Sequence, residues 1–393
     1  MSRIMARILA LTFGLQQVKI GGVIIYDWIA LVFIFSLILE FLIRQKIKIK
    51  RMPMLIISIF FLGVAVSLSL MRVSIEWPEF MYYDVLQVMR ILVGVFTMFG
   101  VILTVKSYSE IVKLLEWMLI GASVSFILVL NDFIAGFFFG DFSSSAWLGQ
   151  RFIGMFNDPN YFSIYTASMC AISLGFLLCK SIQHRNILVN FSSFILLLLG
   201  PIYIMASGSR GGFLGICATV LGLLVGMRIW SKHRLLMVLS TVTGLLFFFF
   251  LYFENPVMQI MVHRLHDPLA AQARHVTWPI VFDIITSNPV IGAGFWNVAE
   301  ITYDKTGIST ISHNTILQIY ASLGILGIAS LIFMIFELTN CSIQLRRRSR
   351  ETFHLLLLPT LAMFPGLLLL DFLEVRWMWF LCGLWLSKKG GRQ

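Results

Sequence analysis

The sequence predicts an all-α polytopic membrane protein, and three observations lead to this fold class. The chain of 393 residues is 59% hydrophobic and only 12% charged, whereas soluble domains carry about 25% charged residues. Apolar stretches of about 20 residues, the length that crosses a bilayer, recur along nearly the whole chain. Basic residues concentrate between alternate stretches. We therefore expect a single membrane domain over residues 1–393, with one long loop at residues 254–312.

About 12 transmembrane helices are predicted, of which the first and the last are short for a full crossing. The basic and then apolar start of the chain resembles a signal peptide, but without a small-residue cleavage site we interpret it as an uncleaved first span. An even number of crossings places both termini on one side of the membrane. The predicted spans are Ile4–Gln17, Gly21–Ile43, Pro53–Met71, Val85–Val105, Leu114–Phe137, Tyr161–Cys179, Leu188–Ala206, Gly211–Met227, Leu235–Phe253, Asn314–Leu338, Phe353–Leu370 and Trp377–Ser387.

The distribution of positive charge predicts the orientation of these spans. In this topology, 21 of the 30 Lys and Arg residues fall on the side of the termini. Cytoplasmic segments of membrane proteins carry such an excess, so both termini are expected in the cytoplasm. This rule explains the net charge of +11 without a nucleic acid partner. The nine basic residues left on the outer face are Lys19, Arg72, Arg90, Arg151, Arg210, Arg264, Arg274, Lys305 and Arg376.

Cysteines and nucleotide motifs restrict the chemistry further. None of the five cysteines lies in the long loop, so no disulfide framework is predicted there. The chain has no glycine-rich motif for a nucleotide. His263, His266 and Asp267 lack a standard metal-ligand pattern. We therefore expect no metal and no cofactor.

The segment "SGSRGG" opens the predicted eighth span with its helix N-terminus on the outer face. Free N–H groups and the positive end of the helix dipole favour an anion at such a terminus. Arg210 adds a guanidinium that pairs with phosphate in bidentate fashion, and Ser209 and Gly211 flank it. The alternative is a tight turn between two helices, with an arginine that only anchors in lipid headgroups.

The segment "RFIGMFNDPNYF" precedes the sixth span on the same face. Asp158 as N-cap and Pro159 as first helical residue would be ordinary capping. Capping does not explain Arg151, Asn157 or Asn160, whose side chains can bind sugar hydroxyls or phosphate oxygens. Capping alone and substrate binding both stay open for this segment.

The long loop and the following helix start carry the remaining candidates. Residues 271–286 have helical spacing despite Pro279, and Arg274 lies on this predicted helix. The turn-rich "SNPVIGAG" follows. His313 and Asn314 then stand at the mouth of the tenth span, where an imidazole is suited to proton transfer near neutral pH. A lone histidine is often only a structural hydrogen-bonding residue, and this alternative remains.

The order of these motifs resembles that of the O-antigen ligase and O-antigen polymerase superfamily of bacterial inner-membrane glycosyltransferases. The stretch "R-x-x-G-x-F-x-x-P-N" comes first, then "SRGG", then "AR…W…NPVIGAG" in a long loop, then "HN". The resemblance covers residues 151–327. No single motif is specific, and the first 150 residues match only as generic spans.

This resemblance implies a function and assigns residues to it. Such enzymes move a glycan from undecaprenyl pyrophosphate to a hydroxyl acceptor at the periplasmic face, without a metal. The acceptor is lipid A-core for a ligase and a second lipid-linked glycan for a polymerase. Arg210, Arg274 and His313 match the essential arginines and histidine, and Arg151 and Asn160 match weaker positions. We expect Arg210 and Arg274 to hold the pyrophosphate, and His313 to act as general base in an inverting transfer.

Three other interpretations remain open beside the ligase. A polysaccharide polymerase shares the same chemistry. A transporter of lipid-linked sugars would need essential charges at mid-membrane depth, and the sequence has no chain of such charges. A non-catalytic scaffold would tolerate loss of Arg210, Arg274 and His313. The sequence assigns no role to Arg90, Asp132 or Arg264, and does not reveal the sugar, the linkage or the oligomeric state.

Overall fold

The structure, a computed structural model, describes residues 1–20, 23–44, 52–178, 186–225, 259, 263, 269–307, 313–371, 373 and 375–387. These ranges are helical apart from turns, irregular connections and two short antiparallel strand pairs. The predicted all-α fold class is therefore confirmed. The helices are α1 (Ser2–Thr12), α2 (Ile25–Arg44), α3 (Pro53–Glu76), α4 (Met81–Thr104), α5 (Tyr108–Leu128), α6 (Leu130–Phe139), α7 (Pro159–Leu178), α8 (Ile187–Ala206), α9 (Arg210–Val225), α10 (Leu269–Ser287), α11 (Phe295–Thr306), α12 (Thr315–Arg348), α13 (Arg350–Leu369) and α14 (Arg376–Leu386). The strands are β1 (Lys19–Ile20), β2 (Val23–Ile24), β3 (Trp147–Leu148) and β4 (Arg151–Phe152).

Several helices are suited to a bilayer, but the predicted number of 12 spans is not confirmed. Among the described residues, seven helical segments are long and apolar enough to cross a membrane. Helices α1 and α14 have 11 residues each, so they are about 16 Å long against a hydrocarbon core of about 30 Å. The predicted span Leu235–Phe253 lies outside the described residues. The seven segments are Pro53–Glu76, Pro78–Thr104, Tyr108–Leu128, Pro159–Leu178, Ile187–Ala206, Thr315–Arg348 and Arg350–Leu369.

The predicted span Leu114–Phe137 is divided in the structure. Helix α5 ends at Leu128 and α6 begins at Leu130, because Val129 between them has φ −99° and ψ 5°, outside the helical range. The start of α5 is fixed by a capping box in which the Ser107 and Glu110 side chains bond to each other's backbone N–H groups. Capping therefore explains where α5 begins, and the backbone of Val129 explains where it ends.

The chain forms two compact units. The first comprises residues 1–45, 104–267 and 345–366, and the second comprises residues 46–103, 268–344 and 367–393. In the first unit, α9 lies very close to its neighbours: a Cβ added at Gly212 would lie 2.6 Å from the Ser163 Cβ, and one at Gly215 would lie 2.5 Å from the Ala362 carbonyl oxygen. Small residues permit such approach between membrane helices. The first turns of α9 are thereby held against α7.

In the second unit, the two helices of the long loop pack into one apolar cluster. Helix α10 runs through Pro279 and confirms the helix predicted at residues 271–286. Val281 and Ile284 of α10 are buried together with Val298 of α11 and Ala321 of α12. This part of the loop is therefore packed against α12 through a shared apolar core. That the loop faces the periplasm stays a prediction.

Candidate functional site

The start of α9 is built as the sequence predicts. The buried Ser209 is the N-cap, since its Oγ accepts a hydrogen bond from the Gly212 N–H at 3.5 Å. Gly208 before it has φ +59°, which glycine adopts without strain and which turns the chain from α8 into α9. Arg210 is the first residue of the helix and Gly211, buried, is the second.

Arg210 is half-buried, and within the described part of the chain its guanidinium has no hydrogen-bond or ion-pair partner. An arginine held partly out of solvent normally gains from a carboxylate, carbonyl or phosphate partner. Here it stands beside the unpaired N–H groups of a helix N-terminus, where the helix dipole is positive. The start of α9 therefore has the charge and the donors for an anion.

Arg151 joins the two polar segments that the sequence analysis considered separately. Its Nε donates to the Ser207 carbonyl at 2.8 Å, and its Nη2 donates to Asn160 Oδ1 at 3.1 Å. One guanidinium thus connects β4, the first turn of α7 and the last residues before α9. The segments "RFIGMFNDPNYF" and "SGSRGG" therefore lie together in the structure. Contact of Arg151 or Asn160 with a substrate stays a prediction.

The start of α7 follows the capping alternative. Asp158 Oδ1 accepts hydrogen bonds from the Asn160 and Tyr161 N–H groups at 2.7 and 3.2 Å, and Pro159 is the first helical residue. Asn157 is exposed, one residue before this cap. Asp158 is therefore explained by structure, whereas the Asn157 side chain remains available to a ligand.

Replacing Arg151 by methionine is expected to destabilise the first unit by about 1–3 kcal/mol, because the Ser207 carbonyl and Asn160 would lose their donor. The measurement is thermal unfolding of the purified protein in detergent. Arg347→Gln, which removes an exposed arginine of α12, is the control and should leave the melting temperature unchanged. An Arg151→Met variant that melts like the wild type but loses activity would show that Arg151 acts on substrate instead.

In the second unit, a turn of the long loop is inserted into a break in α12. Helix α12 is interrupted at Gly324, with φ 64° and ψ −159°. The backbone groups that lose their helical partners at this break bond instead to a turn of the long loop. Residues 288–296 are called the inserted turn. Its Ala293 and Gly294 N–H groups donate to the Ala321 and Ser322 carbonyls at 2.8 and 3.1 Å. In return the Ile325 N–H donates to the Pro289 carbonyl at 2.9 Å.

The inserted turn is also held by side chains of α3 and α4. Arg72 Nη1 donates to the Gly292 carbonyl at 2.9 Å. The Asp84 carboxylate, 1% exposed, accepts hydrogen bonds from the Phe295 and Trp296 N–H groups and so caps α11. Gly294, the N-cap residue of α11, has no side chain that could do so. The role of Asp84 is not predictable from the sequence, since nothing near residue 84 indicates a helix start 211 residues further along the chain.

Replacing Asp84 by alanine is expected to loosen the inserted turn, because two buried N–H groups would lose their acceptor at a cost of about 1–3 kcal/mol. Asp84→Asn keeps an acceptor oxygen and should cost less, about 1 kcal/mol or under. Thermal unfolding and the rate of proteolysis within residues 288–296 measure both variants. Equal losses in the two variants would contradict the capping role.

His313 has an unusual backbone conformation next to a capped helix start. Among the described residues it is the sole non-glycine with a positive φ, at 47°, a conformation that persists only where surrounding contacts enforce it. Asn314 Oδ1 accepts from the Ile316 and Leu317 N–H groups at 3.0 and 3.1 Å and caps α12. Asn314 is thus explained by capping, and its predicted contact with substrate stays a prediction.

Two further bonds fix this helix start against the segment after α13. Asn314 Nδ2 donates to the Leu368 carbonyl at 3.2 Å, and Thr315 Oγ1 donates to the Leu370 carbonyl at 2.8 Å. The next residue is Asp371, an acid only 6% exposed, to which the sequence analysis gave no role. The chain segment that bonds to the start of α12 therefore also contains a buried carboxylate.

The remaining predicted residue is Arg274. Its backbone lies in α10, in the helix that the sequence predicts. Its side chain lies outside the described residues, as does Arg264. Arg274 is therefore placed on α10, and its guanidinium is not among the described groups.

Comparison with known proteins adds one finding. The sequence pattern of the O-antigen ligase family matches residues 192–332. The match includes most of α8, then α9, the long loop, the inserted turn, the His313 helix start and the break in α12. Residues 151–160 lie before it. No curated protein matches the chain.

Proposed function

We propose that this chain, a member of the O-antigen ligase and polymerase superfamily by the match over residues 192–332, is a ligase that transfers a glycan from undecaprenyl pyrophosphate to lipid A-core. The family supports an O-antigen ligase or polymerase type of membrane enzyme. The donor, the acceptor and the roles of individual residues are part of the proposal. So are a bacterial inner-membrane location, cytoplasmic termini and a site that faces the periplasm.

The observation that carries the proposal is the half-buried guanidinium of Arg210 at the start of α9, which has no partner among the described residues. A pyrophosphate diester is an anion with several oxygens, which suits a guanidinium fork beside free helix N–H groups. In the transfer, negative charge grows on the departing pyrophosphate. Hydrogen-bond donors that are already oriented toward that charge lower the activation barrier of the transfer. Arg210 is assigned this role, with Arg274 as a second donor from α10.

His313 is assigned the role of general base. The acceptor hydroxyl gives its proton to an imidazole nitrogen while its oxygen forms a bond to the anomeric carbon. The bond from that carbon to the pyrophosphate breaks, and the electron pair leaves with the lipid pyrophosphate. Direct displacement of this kind inverts the anomeric centre. The cap and the bonds of Asn314 and Thr315 fix the backbone that presents the imidazole.

A ligase and a polymerase predict different surface glycans when the gene is deleted from its parent organism. Loss of the ligase leaves bare lipid A-core on a gel, with long glycan chains still attached to the lipid carrier. Loss of the polymerase leaves core capped by one repeat and no long chains. An unchanged ladder would contradict both, and would favour another polysaccharide or transport of a lipid-linked sugar.

A further inference from the structure

We propose a second anion site, specific for a phosphate group, in a recess between α1 and the start of α5. Both helices belong to the first unit. The polar residues that line the recess are Arg3, Arg7, Thr104, Glu110 and Lys113. The site is built from elements outside the family match, and none of its residues is used in the proposed transfer.

The charges of the recess favour an anion. Three bases and one acid line it, so their formal sum is +2. Arg3 pairs with Glu110 at 2.9 Å. The Glu110 carboxylate also accepts from the Lys106 and Ser107 N–H groups, so its charge is already largely neutralised. Arg7 and Lys113 have no hydrogen-bond or ion-pair partner within the described residues. These two cations, one on α1 and one on α5, carry the excess positive charge that a phosphate would neutralise.

A buried hydroxyl supplies an independent indication. Thr104 lines the recess and is 6% exposed, and its Oγ1 has no hydrogen-bond partner in the described part of the chain. A buried hydroxyl without a hydrogen-bond partner destabilises the folded protein. A phosphate oxygen, which only accepts hydrogen bonds, would satisfy this donor and the two cations together. An apolar ligand would neither accept the hydrogen bond from this hydroxyl nor neutralise the two cations.

The neighbouring surface indicates where such a phosphate could originate. Ile4 and Ile8 of α1 are 60% and 37% exposed, one residue beyond Arg3 and Arg7. Exposed apolar side chains next to cations are typical of helices at the headgroup level of a membrane. The phosphate of a phospholipid headgroup and a free phosphate ion offer the same chemistry to the recess. The experiment therefore includes both.

The test uses the full-length protein in detergent, with inorganic phosphate and dihexanoyl phosphatidic acid as the two probes. Binding is measured by titration. The double variant Arg7→Gln/Lys113→Gln removes the unpaired cations, and the double variant Arg347→Gln/Arg348→Gln removes two exposed arginines of α12 as the matched control. We expect the first to weaken binding about tenfold or more, since charge-assisted bonds to phosphate are the strong ones. The control should stay within about twofold.

Thr104→Val distinguishes a phosphate-binding role of Thr104 from a purely structural role. The change removes an unpaired buried hydroxyl, so stability should stay the same or rise, while phosphate binding should weaken about threefold to tenfold. Tighter binding of phosphatidic acid than of phosphate would identify the headgroup as the source, and equal binding would identify free phosphate. No saturable binding of either probe, or an equal loss in the two double variants, would overturn the proposal.

Discussion

Replacing Arg210 by glutamine is expected to lower the rate of glycan transfer about 10²–10³-fold, the usual loss when one donor to a developing charge is removed. The reason lies in its position: the guanidinium is half-buried at the helix start and, among the described residues, has no partner that competes for it. Arg210→Lys keeps the charge but loses the bidentate fork, so an intermediate loss is expected. The fold should survive both changes, because no described contact is broken.

The measurement is transfer by purified protein in lipid vesicles, with donor and acceptor both supplied. Lys305→Gln is the control, because Lys305 of α11 is also a cation on the predicted outer face, with its side chain half exposed and at 3.8 Å from Asp283. Its activity should match the wild type. Near-normal transfer by Arg210→Gln would remove this residue from the proposed pyrophosphate site and favour the headgroup-anchor alternative.

Replacing His313 is expected to reduce transfer about 10²–10⁴-fold, the range of general base catalysis. The choice of substitute matters because the backbone has φ 47°. Asparagine adopts this conformation more readily than most residues, so His313→Asn removes the imidazole with less disturbance than His313→Ala. Donor binding should persist in both variants, since the proton transfer and not the pyrophosphate contact is lost.

Asn314→Asp is the matched control for His313. An aspartate keeps the oxygen that caps α12 and loses the donor to the Leu368 carbonyl. Transfer should then stay within about tenfold of the wild type while the melting temperature falls slightly. If His313→Asn transfers as fast as Asn314→Asp, His313 is a structural residue at the helix start.

Local signals in the sequence predicted the helix starts of the candidate site. Asp158 before Pro159 caps α7 as the capping alternative predicts, and "SGSRGG" opens α9 at the predicted helix start. The helix through Pro279 was predicted from its spacing alone. In each case the physical cause lies within a few residues of the effect, so a single sequence contains it.

The parts that the sequence did not predict depend on contacts between distant residues. Gly324 inside an apolar run indicates no break by itself; the break exists because the inserted turn supplies partners for the Ala321 and Ser322 carbonyls. Asp84 caps a helix in another part of the chain. Likewise, the Arg151 bond to the Ser207 carbonyl joins residues 56 apart. Apolar periodicity contains no information about such pairs.

The predicted number of 12 spans is not confirmed among the described residues, where seven helical segments are long and apolar enough to cross a membrane. A run of apolar residues has the same composition in a crossing helix as in a short helix buried by its neighbours. In α14, Trp377 and Phe380 are almost fully buried, so protein contacts, and not lipid alone, account for its apolar character. The helix is still only 11 residues long. Burial therefore has to be known before such a run is counted as a span.

The most direct test of the proposed function is transfer by the purified wild-type protein and by His313→Asn in lipid vesicles. The vesicles contain undecaprenyl-pyrophosphate-linked glycan as donor and lipid A-core as acceptor, without nucleotide. We expect the wild type to produce glycan-bearing lipid A-core and to release undecaprenyl pyrophosphate in equal amount, and His313→Asn to produce about 10²-fold less or lower. Failure of the wild type to join donor to acceptor, or release of lipid pyrophosphate without a joined product, would contradict the proposed function.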